Sequence, residues 1–163
     1  MNRIVLLEQL KLLTKEETAD IIMPVSMQKG DTEQAFRAAE IYLMRLIKST
    51  AAKKTAPYII HQLITSKDIQ PSGSNLSAST NVRSIFCVYN EDEQEGGLML
   101  VNLMERMRIR LLKQVIIGGQ FELDLEVGLE SFLYPDDTAP YFAGEMISAW
   151  KIPAVKREVS KWL

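Results

Sequence analysis

Cysteine and histidine are nearly missing from this sequence, which has one of each among 163 residues. The single thiol, Cys87, can form neither an internal disulfide nor a cysteine-based metal cluster, and such usage is typical of cytosolic synthesis. No run of about 18 apolar residues occurs, which excludes a membrane-spanning helix. Charged Arg3, Glu8 and Lys11 interrupt the N-terminal leucines, so that segment predicts a helix rather than a signal peptide.

A strong net charge is missing too, because 19 Lys and Arg side chains against 21 Asp and Glu give a formal charge of -2. Without a basic field, sequence-specific nucleic-acid binding has little electrostatic support. The tail at 156–163 mixes Lys156, Arg157 and Lys161 with Trp162, but phosphate binding usually uses more cations. A solvated or protein-docking tail is the better interpretation.

What the sequence does have is an ordinary globular composition, 47% hydrophobic and 25% charged. Such a chain is long enough to bury one substantial core, so we expect a single domain over 1–163. The patterns divide it into an N-terminal helical region at 1–37, an α+β core at 38–155 and the tail at 156–163.

The N-terminal region predicts two short helices. Leucines at helical spacing give the first an apolar face. Thr14 with Glu17 has the spacing of a capping box, which predicts that a second helix begins there and ends before Pro24. Alternating apolar residues at 39–47 and 58–64 then predict two strands, and a hairpin is their most economical pairing.

A small polar stretch at 71–80 predicts a mobile loop within the core. It contains Ser72, Gly73, Ser74 and Asn75, which cannot bury enough apolar surface to order themselves. Loops of this length in compact domains are often functional, although passive connectors are commoner. We therefore treat this loop as a candidate contact that orders against a partner.

Residues 82–114 predict a strand, an acidic turn and a long helix. Four carboxylates occupy the turn: Glu91, Asp92, Glu93 and Glu95. Oxygen ligands attract hard cations, but the spacing fits no calcium loop. Acids are favoured at a helix N-terminus by unpaired amides and the helix dipole, so capping is the preferred interpretation.

The long helix, predicted at about 96–114, has apolar side chains on two sides. The stripe expected to pack on the sheet comprises Leu100, Leu103, Met104, Met107 and Leu111. The second strip, interrupted by Glu105, comprises Leu98, Val101, Ile109 and Leu112. A narrow polar arc comprises Asn102, Arg106, Arg110 and Lys113. A helix with two apolar sides needs two covers, so either the N-terminal helix or a neighbouring subunit should cover the second strip.

After the helix, Gly118 and Gly119 predict a left-handed C-terminal turn. Alternation over 121–127 predicts a strand whose acidic side, Glu122, Asp124 and Glu126, faces water or a basic partner. Further strands are expected at 129–134 and 141–150, joined by a polar turn. The predicted fold is therefore α+β: a small, mostly antiparallel or mixed β-sheet packed against one long helix, with an N-terminal helical region.

No catalytic constellation accompanies these elements. His61 falls within a predicted strand, where a hydrogen-bonded structural imidazole is commoner than a base. Nothing in spacing supports a relay with Cys87, and the glycine pairs lack the context of a phosphate-binding loop. Alternation on an exposed face explains Asp124 and Glu126 without chemistry. We therefore expect no enzyme activity, no cofactor and no bound metal.

Several motifs carry a resemblance. They are the strand and acidic turn at 82–97, Leu103-Met104-Glu105-Arg106 in the helix, Phe121-Glu122-Leu123, the segment 134–146, and Trp150. Together they resemble neck proteins of tailed bacteriophages and prophages of Gram-positive bacteria, specifically the tail terminator or tail-to-head joining group. The likeness covers about residues 56–159 and is weakest over residues 1–37.

The resemblance implies a small α+β subunit that assembles into a hexameric ring, which terminates the tail tube and receives the head connector. It implies as partners other copies of the chain, the tail tube protein, head connector or adaptor proteins and, in a contractile tail, the sheath, with DNA passing through the ring. It also implies location in the virion after synthesis in the host cytoplasm. A head-completion or adaptor protein of the same neck, or a peptide-binding module outside phages, stays an alternative.

Overall fold

The computed structural model describes residues 2–46, 55–73, 75–135 and 139–158. Its elements follow one another in this order: α1 Arg3–Thr18, β1 Met23–Pro24, β2 Phe36–Arg37, β3 Glu40–Leu43, β4 Tyr58–Ile69, β5 Ser77–Tyr89, α2 Glu93–Gln114, β6 Ile116–Ile117, β7 Phe121–Leu123, β8 Glu130–Leu133 and β9 Tyr141–Ile152. Neither helix is long and apolar enough to cross a membrane within this described part.

One mixed sheet organises the molecule, in the order β3-β4-β5-β9-β7-β6, with β8 also paired to β9. Its centre consists of the long strands β4, β5 and β9, which pair antiparallel over most of their length. The short strands β1 and β2 form a separate two-stranded sheet. The predicted α+β class, with a mixed sheet and one long helix, is confirmed.

Both helices pack on the same face of the sheet, called here the helix-covered face. Alternation along β5 directs Val82, Phe86 and Val88 into this core, while Cys87 and Tyr89 enter a smaller cluster on the opposite, open face. Both faces of this strand are therefore wholly or partly buried along residues 82–89. Trp150 of β9 is fully buried in the larger core, and its indole N–H donates to Ser148 Oγ over 2.8 Å.

The N-terminal region differs from its prediction, because α1 is one continuous helix rather than two. Asn2 caps it, accepting from the amides of Ile4 and Val5. The buried Thr14 hydroxyl donates to the Leu10 carbonyl oxygen over 2.6 Å instead of capping a new helix. The helical prediction over 1–37 is also wrong beyond Thr18, since β1 and β2 lie there.

The hairpin predicted between the strands at 39–47 and 58–64 is wrong as well. Strand β3 ends at Leu43 and runs parallel to β4, with Ile41 beside Ile59. Parallel neighbours need a crossover rather than a tight turn. Leu46 and Ala56, near the ends of that crossover, pack with Tyr58 on the open face. Residues 47–54, including the end of the predicted strand, lie outside the described part.

The glycine pair after α2 has a different role from the predicted one. The helix ends at Gln114, and Val115, with φ 60°, donates its amide to the Leu111 carbonyl oxygen over 2.9 Å. Gly118 and Gly119, at φ 58° and 68°, form the turn between β6 and β7. Glycine suits this turn because both positions need left-handed backbone.

Candidate functional site

The acidic turn before α2 caps that helix. Asp92 Oδ1 accepts from the amides of Gln94 and Glu95 over 3.1 and 3.0 Å, which satisfies two N-terminal donors. The capping interpretation is confirmed. Within the described residues, no group of three or more His, Cys, Asp or Glu side chains is placed to hold a metal ion.

One apolar side of α2 is buried and the other is exposed. The predicted packing stripe is buried, with Leu103 fully enclosed. The second strip faces outward: Leu98 is 65% exposed, and Ile109 is 41% exposed. Val101 and Leu112 are also exposed. The same helix therefore completes the core and displays a row of aliphatic side chains to solvent.

The N-terminal helix packs beside the polar arc of α2, not over the second strip. Arg106 Nη2 lies 2.7 Å from Asp20 Oδ2, just beyond α1, and Arg110 Nη1 lies 2.9 Å from Glu17 Oε2 within α1. These pairs fix α1 along one flank of α2. The sequence left two possible covers for the second strip, the N-terminal helix and a neighbouring subunit. The N-terminal helix does not cover it.

Strand β8 lies along the other flank of α2. Val101, Met104 and Glu105 of the helix line a shallow depression together with Ser131 and Leu133 of β8. Leu133 is 58% exposed, so the apolar surface continues from the helix onto this strand. The second strip is thus part of a wider exposed surface.

One ion pair interrupts this surface. The guanidinium of Arg108 donates to both carboxylate oxygens of Glu105, over 2.8 Å each. Hydrogen bonding to Arg108 lowers the pKa of Glu105 below its ordinary value. The two charges satisfy each other within α2, so they oppose an apolar contact less than two unpaired charges would.

The predicted loop at 71–80 is shorter than expected, because Ser77–Thr80 belong to β5 and pair with the end of β4. Ser72, Gly73 and Asn75 lie exposed at the tip of this hairpin, while Ser74 is outside the described residues. Arg3 of α1 holds the hairpin, donating to Ser79 O over 3.0 Å and lying 3.3 Å from Asp68 Oδ2. The polar composition of residues 71–80 is that of a hairpin tip. Nothing in the sequence indicated that residues 77–80 would pair with β4.

The predicted acidic strand at 121–127 is also corrected. Strand β7 ends at Leu123, and only Glu122 of the three acidic residues lies exposed on it. Asp124 Oδ1 accepts from the amides of Glu126 and Val127, which bends the chain into a turn. Leu125 and Val127, expected to be buried, are therefore exposed. The structure does not gather the three carboxylates on one strand face.

His61 is a buried structural residue of β4. Its Nε2 lies 2.8 Å from Thr14 Oγ1, and its Nδ1 lies 2.8 Å from Ser84 Oγ. Since the Thr14 hydroxyl already donates to Leu10, it accepts from Nε2–H, and Ser84 donates to Nδ1. Burial lowers the pKa of His61 to about 4. A neutral imidazole thus ties α1 to the sheet.

A scan against protein-family models finds none that matches this chain, and a search of curated proteins finds no significant relative. Function is therefore inferred from the geometry of the chain and from the motifs described above. The geometry brings together Leu98, Val101, Ile109 and Leu112 with the exposed strand β8. It leaves the hairpin tip and Glu122 as separate surface features.

Proposed function

We propose that this protein is a structural subunit that works by assembling with copies of itself. The main support for this proposal is the second strip, which stays exposed although both helices pack on the sheet. Four aliphatic side chains along one helix face, continued by Leu133, are typical of a surface that another protein covers.

Within that class, we propose a tail-terminating subunit of a bacteriophage neck, located in the virion. It forms a ring, a hexamer by the resemblance, that ends the tail tube and joins it to the head connector. The motif at 82–97, which carries much of that resemblance, forms the end of β5, the Asp92 cap and the start of α2. The same motif therefore sets the direction in which α2 presents its second strip.

A ring requires a heterologous contact, in which one surface meets a different surface on the next copy. In a ring, the second strip of one copy must therefore contact a different surface of the next copy, not the second strip of that copy. The α1 flank of α2 is already occupied by the pairs of Arg106 and Arg110, so the contact should involve the β8 flank.

The decisive variant is Ile109→Lys, which places a charge in the second strip. Native mass spectrometry, alone and with purified tail tubes, should show rings for the unaltered protein and single subunits for the variant. Circular dichroism should show an unchanged fold, because Ile109 is 41% exposed. Val155→Lys is the matched control, since Val155 is 69% exposed and lies beyond β9.

Three outcomes would overturn the proposal or redirect it. An unaltered protein that stays a monomer and ignores both tube and connector would overturn it. Unfolding of Ile109→Lys would place Ile109 in the core instead of at a contact. Rings that bind the connector and not the tube would favour the adaptor function.

The hairpin tip at 70–76 is a second proposed contact, between the ring and its neighbours in the neck. Replacing it by a two-residue Asn-Gly turn keeps the β4–β5 pairing and removes Ser72, Gly73 and Asn75. We expect weaker capture of tail tubes by preformed rings. Capture equal to that of the unaltered protein would exclude the tip as a contact.

A further inference from the structure

The sheet has an open edge at β3. The Glu40 amide donates to Pro57 O over 3.2 Å, and the Met44 amide donates to His61 O over 2.8 Å. In a parallel pair, alternate residues direct their amides toward the neighbour. The amides of Ile41 and Leu43 therefore point away from β4. No strand among the described residues pairs with this side of β3.

Strand β8 is open on its outer side. The Tyr134 amide donates to Ala143 O over 3.0 Å, which makes Tyr134 and Ala143 a hydrogen-bonded pair. Such pairs alternate along an antiparallel ladder, so Phe132 also bonds β9 while Ser131 and Leu133 point outward. All four residues of β8 are exposed, and β9 is its one strand neighbour in the described part of the chain.

These two edges lie at the same height in the sheet. Following the strand registers across it, Ile41 is level with Leu133 through Ile59, Phe86 and Gly144. By the same registers, Leu43 is level with Ser131, and Tyr42 is level with Phe132. The residues whose amides point outward on one edge are therefore level with those that point outward on the other.

We propose that neighbouring copies join edge to edge, with β8 of one copy adding antiparallel to β3 of the next. This inference rests on the proposed ring and specifies its contact. Strands β3 and β8 run in opposite directions within one sheet, so a rotation about an axis along the strands brings them together antiparallel. Because the edges are level, successive copies add without displacement along the strands, which allows a closed ring rather than a filament.

The level register sets specific side-chain neighbours. Leu133 pairs with Ile41 of the next copy and Ser131 with Leu43, both on the helix-covered face. Between them, Phe132 pairs with Tyr42 on the open face. Phe132 and Leu133, both exposed in the single subunit, would be covered. Aromatic and aliphatic cross-strand pairs of this kind stabilise sheets.

The helices beside the two edges are complementary as well. Lys11 and Lys15 of α1 line a depression with Ile41 and Tyr42 next to the β3 edge. Val101 and Glu105 line the depression next to the β8 edge. Joining the edges brings these depressions together, so the aliphatic stems of the two lysines cover Val101 while Glu105 keeps its hydrogen bonds to Arg108.

A disulfide test reads the register directly. In the level register Tyr42 and Phe132 form a non-hydrogen-bonded pair, the closer of the two antiparallel geometries, which suits a disulfide. The variant Tyr42→Cys with Phe132→Cys should give, on oxidation, a ladder of covalently joined subunits on a denaturing gel. Each single cysteine variant should give no ladder. Glu40→Cys with Phe132→Cys is the matched control for a two-residue slip.

Ser131→Pro provides a second test that is independent of cysteine chemistry. Its amide points away from β9, so proline removes one intersubunit hydrogen bond and leaves the β8–β9 ladder intact. We expect at least a tenfold weaker assembly and, at concentrations low enough to keep both proteins monomeric, an unchanged melting temperature. Phe132→Pro, which removes a bond to β9, is the control that should lower the melting temperature.

The outcomes separate this inference from the proposed function. Rings that form normally from Ser131→Pro and give no ladder with the Tyr42 and Phe132 pair would overturn edge pairing and leave the ring in place. A ladder from the Glu40 pair in place of the Tyr42 pair would overturn the level register. An unaltered protein that never assembles, even on tail tubes, would overturn both proposals.

Discussion

The two sides of α2 are made of similar side chains and do different things. Leu103 and Met107 on the inner side are almost fully buried, whereas Leu98 and Ile109 on the outer side are in solvent. Intrinsic helix formation cannot distinguish them, since both sides are rich in leucine and its relatives. The difference arises from the sheet, which covers one side, and from α1, which pairs with the polar arc. Folding thus uses one side of the helix and leaves the other exposed to solvent.

The largest contrast between the two sides should come from truncating Leu103 to alanine. This side chain is 0% exposed, so its loss leaves a cavity and should lower the free energy of unfolding by about 2–5 kcal/mol. Urea denaturation followed by circular dichroism measures it. Leu98→Ala is the matched control on the outer side, and an equal loss of stability from both variants would show that the two sides of α2 contribute alike to folding.

The free energy of unfolding should also depend on pH through His61, which joins α1 to the sheet. Burial lowers its pKa from 6.5 to about 4, so between these values the unfolded chain binds a proton that the folded chain rejects. The stability is fully present above pH 6.5 and is lost as pH falls toward 4, by about 3 kcal/mol in total. His61→Gln should flatten this part of the pH profile. The same slope in variant and unaltered protein would contradict this origin.

The ion pair between Arg110 and Glu17, on the α1 flank of α2, should contribute much less to the free energy of unfolding than Leu103 or His61 does. Arg110 and Glu17 are partly exposed, at 27% and 23% for their side chains, and solvent screens their attraction. A double-mutant cycle with Arg110→Met and Glu17→Gln should give a coupling of about 0.2–1 kcal/mol that shrinks with added salt. A coupling unaffected by salt would show that the pair acts through packing instead.

The smallest effect on stability is expected on the outer side. Leu98→Gln should change the free energy of unfolding by no more than about 0.5 kcal/mol, because exposed positions without special contacts tolerate substitution. Assembly into the proposed ring should nevertheless weaken, as sedimentation at several concentrations would show. A clear drop in stability would mean that the strip already has an internal cover.

Periodicity in the sequence predicts the parts of this fold that are regular over many residues. The inner stripe of α2, the alternation of β5 and the extent of β9 follow from it. Thr14 shows where it fails: a capping-box spacing was overridden by bonds to Leu10 and His61. Asp124 shows a second failure of periodicity. The apolar alternation continues past Leu123, but the Asp124 side chain accepts from the Glu126 amide and the chain turns there instead of continuing as a strand.

The candidate site was predictable only in part. The second strip is a helical pattern and was visible in the sequence, whereas the open edges of β3 and β8 depend on which strands pair. A parallel β3–β4 pair leaves no local signal that distinguishes it from a hairpin. Phe132 and Leu133 lie within the predicted strand at 129–134, but only the strand pairing shows that this strand is an edge and that both side chains are exposed.

The two open edges are different surfaces on one molecule, and this has a genetic consequence. A subunit with Ser131→Pro still offers an intact β3 edge, so another copy can add to it normally, although its own β8 adds to the next copy at least tenfold more weakly. Mixed with unaltered copies, it would stop a growing ring at the point where it enters. If copies join edge to edge as proposed, edge variants should therefore act dominantly, and a minority of altered copies mixed with unaltered ones should reduce the number of completed rings out of proportion to their share.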